Sequence, residues 1–209
     1  GRKAMLAAQK MGLRATYKDL ARELNLSADQ ANQLIDLLAE QQAAQFDTFR
    51  ENRGDPAAMM AANAERERRN EIELMGVLGD KYQKFQSYQD TLGERSQVEQ
   101  LGVQFAATNL PLGETQKKQL LTAMVEERKA LPQPQWSRDA TPQENMEQMR
   151  KWQESYNKRV TERAGAVLTP EQLAQYKEMQ SAQSMPFGGA FAVGGIRQFG
   201  GGRMRGAVA

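Results

Sequence analysis

The sequence predicts an all-α protein: long antiparallel helices joined as helical hairpins, a thin core, and a flexible Gly-rich C-terminal tail. Three observations carry this. Helix formers such as Ala, Gln, Glu, Leu, Lys and Arg dominate, while β-branched residues are sparse. Apolar residues recur at helical spacing through most of the chain. A helix-start pattern occurs three times, as Leu26-Ser27-Ala28-Asp29-Gln30, Leu112-Gly113-Glu114-Thr115-Gln116 and Leu168-Thr169-Pro170-Glu171-Gln172.

The pattern starts helices for a local reason. The first N–H groups of a helix have no partner within it. At the third copy, Thr169 as N-cap accepts from the N–H three residues on, and Gln172 reaches back to the N-cap N–H. Pro170 occupies the first helical position, where its missing donor costs nothing. Leu168 and Leu173 stand at the two positions of a hydrophobic staple. Ser27 and Gln30 repeat the reciprocal cap behind Leu26, with only Ala31 to complete the staple. The middle copy is expected to be weakest, with Gly113 as cap and Lys117 in the staple position.

The first helical face carries Leu13, Tyr17, Leu20 and Leu24 within a basic stretch over residues 2–24. After a turn at Asn25-Leu26, a helix from the Ser27 cap carries Leu34, Ile35, Leu38, Phe46 and Phe49 on one side and ends near Arg53. Gly54-Asp55-Pro56 is a break and a fresh start. A long helix follows with Met59, Met60, Ile72, Met75 and Leu78, interrupted or thinned at Gly79. A stripe through Tyr82, Phe85, Leu92, Val98, Leu101 and Phe105 continues to Ala107, and Asn109-Leu110-Pro111 breaks it. Leu120, Leu121, Met124 and Val125 mark the next helix. Leu131 to Thr141, with Pro132 and Pro134, is a connecting loop. Thr141-Pro142-Gln143-Glu144 is a capping box opening a helix with Met146, Met149, Trp152, Tyr156 and Val160. The last helix carries Leu173, Tyr176 and Met179.

The expected organisation is one all-α domain over residues 3–182 and a Gly/Arg-rich tail over 183–209. Eight of the 17 glycines lie in 184–209 with Arg197, Arg203 and Arg205 and no acid. Leu, Ile, Val and Phe number only 37 of 209 residues, so the core is thin. The 28 basic and 26 acidic residues nearly cancel, which separates this composition from that of highly charged disordered chains.

Little in the sequence supports catalysis. Without Cys or His there is no thiolate nucleophile, disulfide, or Cys/His metal site. The acids alternate with Lys and Arg on helix faces, unlike paired carboxylates in a dry cleft. No Gly-rich loop leads to a Lys-Ser/Thr pair. Neither enzymatic activity nor a cofactor is expected. Met146 and Met149 at i, i+3 suit copper(I), but their stripe with Trp152 and Tyr156 favours core packing. No run approaches the ~18 apolar residues of a membrane span.

With the caps in view, Leu26-Ser27-Ala28-Asp29-Gln30 and Leu168-Thr169-Pro170-Glu171-Gln172 resemble the repeated Leu-Thr-x-x-Gln signature of the LTXXQ family of bacterial periplasmic proteins, which includes the Spy and CpxP types. The first copy has Ser27 where the signature has Thr. The resemblance implies an all-α, cradle-shaped, often homodimeric protein of the Gram-negative envelope. It also implies ATP-independent chaperoning and envelope-stress signalling, with unfolded or envelope proteins bound on a concave basic and apolar surface.

Partner binding has a candidate surface of its own. Phe46, Phe49, Met59 and Met60 cluster around the break at Gly54, with Arg66, Arg68 and Arg69 close by. If the two helices form a hairpin, these groups converge; the plainer alternative is that Phe and Met fill a core at the bend. The competing function is DNA binding by a helix-turn-helix over residues 17–36. Its recognition helix would offer Asp29, Gln30, Asn32, Gln33 and Asp36 but no Lys or Arg for phosphate, so nucleic acid is disfavoured.

Overall fold

The computed structural model describes residues 2–52 and 54–183, and the expected tail from 184 onward lies outside them. Among the described residues all regular structure is helical. Nine α-helices follow in order: α1 (Arg2–Thr16), α2 (Leu20–Glu23), α3 (Ala28–Glu51), α4 (Pro56–Leu78), α5 (Tyr82–Asp90), α6 (Leu92–Ala107), α7 (Glu114–Ala130), α8 (Pro142–Ala164) and α9 (Pro170–Gln183). Where the sequence draws one domain over 3–182, the helices fall into two compact units, one ending at Asp90 and one beginning at Thr91. Only Thr91 separates α5 from α6, and no Pro- or Gly-rich linker announces the boundary.

In the first unit α1 and α4 both pack on α3. The basic face of α1 finds acids and amides there: Lys10 Nζ lies 2.8 Å from Asp36, and Arg14 donates to Asn32 at 3.2 Å. These two pairs set α1 antiparallel to α3. The first apolar stripe extends through a break after Thr16, and α2 is a single turn of four residues. Tyr17 stacks on Phe85 and Tyr88, with ring centroids 6.1 and 5.9 Å away. Burial raises the Tyr17 phenol above its ordinary value, opposed by the bond that Gln89 Nε2 donates to it. Leu20, Leu34, Leu38, Leu74 and Leu78 fill out the buried set. Gly54, at φ +100°, makes the hairpin turn in a conformation that side-chain-bearing residues rarely adopt.

In the second unit α7 packs on α6 and on α8, and α9 folds back on α8. Val98, Leu101, Phe105, Leu112, Leu120, Met124, Tyr156, Val160, Leu168 and Tyr176 form its core. Burial pushes the Tyr176 phenol up to about 12. Acid–base pairs line the helix seams: Glu94 of α6 meets Arg128 of α7, and Glu127 of α7 takes Arg159 at 2.5 Å and Arg163 at 3.3 Å from α8. The connecting loop lies along α8. Trp152 Nε1 donates to Leu131 O at 2.9 Å, and buried Asn145 exchanges bonds with both backbone groups of Ser137. Met146 is 66% exposed, so the core packing expected for it does not occur; Met149 is half-buried and its sulfur accepts from Gln133.

The three cap motifs do different work. All three glutamines return a bond to their own N-cap N–H, at 3.2 Å for Ser27, 3.0 Å for Gly113 and 3.0 Å for Thr169. Two of the turns are also built alike. Asn25 and Asn109 take positive φ (50° and 58°), and the next residue bonds back across the helix end, Leu26 N to Ala21 O and Leu110 N to Phe105 O. The copy expected to be weakest is the one paired with the strongest. Gln116 Nε2 donates to Val167 O, just before Leu168, while Gln172 Nε2 donates to Pro111 O, just before Leu112. The two amides also meet directly, Gln116 Nε2 to Gln172 Oε1 at 2.8 Å. Gly113 has no side chain to offer its helix, yet its motif is half of a reciprocal clasp. In the first copy the equivalent carbonyl, Asn25 O, accepts from Lys81 Nζ at 2.7 Å instead.

Two stability predictions follow from these contacts. Gln172→Ala strips a buried amide from its partners on Thr169, Leu110, Pro111 and Gln116 and is expected to cost about 2–3 kcal/mol in denaturant unfolding. Gln30→Ala removes only a local cap and is expected to cost about 0.5–1 kcal/mol. The hydrogen bond from Arg159 is the largest influence holding the Glu127 carboxyl below its ordinary range, against the opposing effect of burial. A carboxyl lowered by folding stabilises above its unfolded pKa, and that contribution is lost as pH falls through the folded value. Thermal midpoints measured from about pH 6 down to about pH 3 are therefore expected to fall, and less steeply in Glu127→Gln.

Candidate functional site

The candidate surface is the distal part of the α3–α4 hairpin. Gln41, on α3, donates to Asn70 O and to the Glu73 carboxylate of α4, which fixes the antiparallel register. No described residue from 44 to 73 is fully buried; Ala43 is the last on α3 and Leu74 the first on α4.

The sequence explains why α3 still carries phenylalanines there. Ile35, Ala39, Gln42, Phe46 and Phe49 follow one another at helical spacing, so they belong to one stripe. Ile35 and Ala39 are buried, whereas Phe46 is 66% and Phe49 60% exposed. Extending the α1 register from Lys10–Asp36 and Arg14–Asn32, the start of α1 falls opposite about residue 44 of α3. Met60 is 74% exposed and Met59 half-buried, so Phe46, Phe49 and Met60 do not fill a core at the bend.

The three arginines are divided by the same geometry. Arg66 lies in the sector of α4 that also holds Met59, Asn70, Leu74 and Val77, which is the side turned to α3. Its Nε and Nη1 are buried and meet no acceptor among the described residues. Arg68 and Arg69 are exposed. Arg68 shares the outward face of α4 with Ile72 and Met75, of which Ile72 is 70% exposed. Arg50 is tied to Asp47 at 3.0 Å. Sequence reasoning did not single out Ile72 and Met75 as exposed, nor Trp136 at 63%. Trp136 follows two prolines in the connecting loop, and that spacing is the signal that it lies off any helical stripe.

The other motif residues are structural. Gln172 is 5% and Leu168 7% exposed, and both face the interior of the second unit. Leu26 and Gln30 are half-buried and Ser27 and Thr169 exposed, as cap positions are. For the helix-turn-helix alternative, α2 is one turn long and α3 runs 24 residues. Among the described residues no group of three acids could hold a metal ion, and no helix is long and apolar enough to cross a membrane. No family model, no curated protein and no solved structure matches the chain.

Because Phe46 and Phe49 face solvent, Phe46→Ser and Phe49→Ser are expected to change unfolding free energy by no more than about 0.5 kcal/mol each. The double variant is expected to bind less of a hydrophobic fluorescent dye. A loss of stability typical of core truncation would show that these rings are packed.

Proposed function

We propose that the protein binds other polypeptides non-covalently and without ATP, as a chaperone-like or adaptor scaffold. One observation carries this: Phe46, Phe49 and Met60 are exposed on the distal part of the α3–α4 hairpin. Exposing two aromatic rings on one helix face forgoes about 1.5–3 kcal/mol of burial for each. Contiguous apolar surface rimmed by charge is the usual mark of a protein-binding site. Methionine adds contacts that adapt to different partners.

The resemblance of the cap motifs to the LTXXQ signature supports the same reading. With it comes the proposal that the protein works in the bacterial periplasm, as a homodimer, on unfolded or envelope proteins. That Ser27 and Thr169 stand before the helix starts at Ala28 and Pro170 of an all-α chain supports this reading.

The expected outcome is that the purified protein, in molar excess and without nucleotide, suppresses light scattering from a chemically denatured client diluted into buffer. The Phe46→Ser/Phe49→Ser variant should lose most of that effect while keeping its helical circular dichroism. Equal suppression by the variant would move the site elsewhere, and no suppression by the native chain would end the proposal.

A further inference from the structure

Among the eleven methionines, only Met146 and Met149 stand three or four residues apart. On a helix that spacing puts two side chains on one face, with Cβ atoms about 5–6 Å apart. Both lie in the first two turns of α8, in the second unit. Core packing is the plainer role for such a pair, and the structure denies it to Met146, which is 66% exposed. Met149 is half-buried, and its sulfur is held by the bond from Gln133 Nε2 at 3.2 Å. One thioether is thus fixed against the connecting loop, and the other is open to solvent on the next turn.

The surroundings are rigid and electrically quiet. Asn145, 3% exposed, accepts from Ser137 N and donates to Ser137 O, both at 2.9 Å, and reaches Ala140 O and Thr141 O. That clamp, one residue before Met146, sets the loop along α8. The charges following on α8 are matched: Arg150 with Glu154, and Lys151 with Glu147, each at 2.8 Å. Glu144 is turned back to its cap at Thr141. A hard cation wants several oxygen ligands, and these carboxylates are engaged elsewhere. Thioethers are soft and select Cu(I). A thioether sulfur has two lone pairs, so Met149 can accept from Gln133 and still ligate; Gln133 then orients it as an outer partner.

We propose that Met146 and Met149 bind one Cu(I) ion through their sulfurs, with Gln133 positioning Met149. The ion keeps its oxidation state and no proton is released, since a thioether has none to lose. The site belongs to the second unit and does not depend on polypeptide binding by the α3–α4 hairpin.

The test uses the full chain under anaerobic conditions, titrated with Cu(I) held by a chromophoric chelator. The native chain is expected to withdraw one equivalent, and to do so equally at about pH 5.5 and about pH 7.5, unlike sites whose ligands must deprotonate. Met146→Leu/Met149→Leu is expected to weaken uptake by at least about tenfold, and Gln133→Leu by about tenfold, as loss of an outer partner does. Leucine is close to methionine in volume, so the double variant keeps its helical circular dichroism. Silver(I), a redox-inert stand-in, is expected to shift the methyl resonances of Met146 and Met149 and to leave buried Met124 unmoved. The chain's two tryptophans are Trp136, in the connecting loop, and Trp152, three residues past Met149, so quenching of tryptophan fluorescence reports the same event. Failure to withdraw Cu(I), uptake by the double variant equal to the native chain's, or methyl shifts confined to other methionines would each overturn the inference. None of these readouts involves client aggregation, so this inference and the proposed function can fail separately.

Discussion

Two helices side by side bury one stripe each, and a closed interior needs a third or fourth helix over the groove between them. That constraint organises both units. The second unit meets it with α6 to α9 around Phe105, Leu120, Met124, Val160 and Tyr176, all of them buried. The first unit meets it only where α1 and α5 are present, around Tyr17, Leu20, Leu34, Leu38 and Phe85. Past Ala43 no residue of α3 is buried among the described residues, and Phe46 and Phe49 stand exposed.

The second unit also depends on a polar contact that no apolar argument supplies. Its two helix turns present backbone carbonyls, Pro111 O and Val167 O, to each other's motifs. Burying those groups unpaired would cost roughly 1–3 kcal/mol apiece. The amides of Gln116 and Gln172 satisfy both, while their oxygens hold the N-cap N–H groups. One residue type at one offset from each leucine thus starts a helix and joins two turns. Glutamine suits this because its amide has donor and acceptor at the end of a side chain long enough to reach back and across.

The contrast between the units bears on function. The second unit buries most of its stripes, though Val103, Trp136 and Met146 stay exposed. In the first unit Phe46 and Phe49 of α3 and Met60, Ile72 and Met75 of α4 are exposed.

Helix starts and ends were legible in the sequence because they are set by groups a few residues apart. Ser27, Thr141 and Thr169 cap where their spacing to Gln30, Glu144 and Gln172 says they should, and Gly54 with Pro56 marks the hairpin turn. The all-α class followed from the same local chemistry. Which faces are covered was not legible, because identical positions on one stripe part company according to the length of a neighbour. Ile35 is buried, yet Phe46, further along the same stripe of α3, is exposed. Met146 and Tyr156 likewise share a stripe on α8, yet only Tyr156 meets α7, where its hydroxyl donates to Met124 O. The clasp between Gln116 and Gln172 joins residues 56 apart, and Gly113 gives no local hint of it. Local hydrogen-bond partners fixed the rods; the relative reach of rods packed side by side decided what stayed outside.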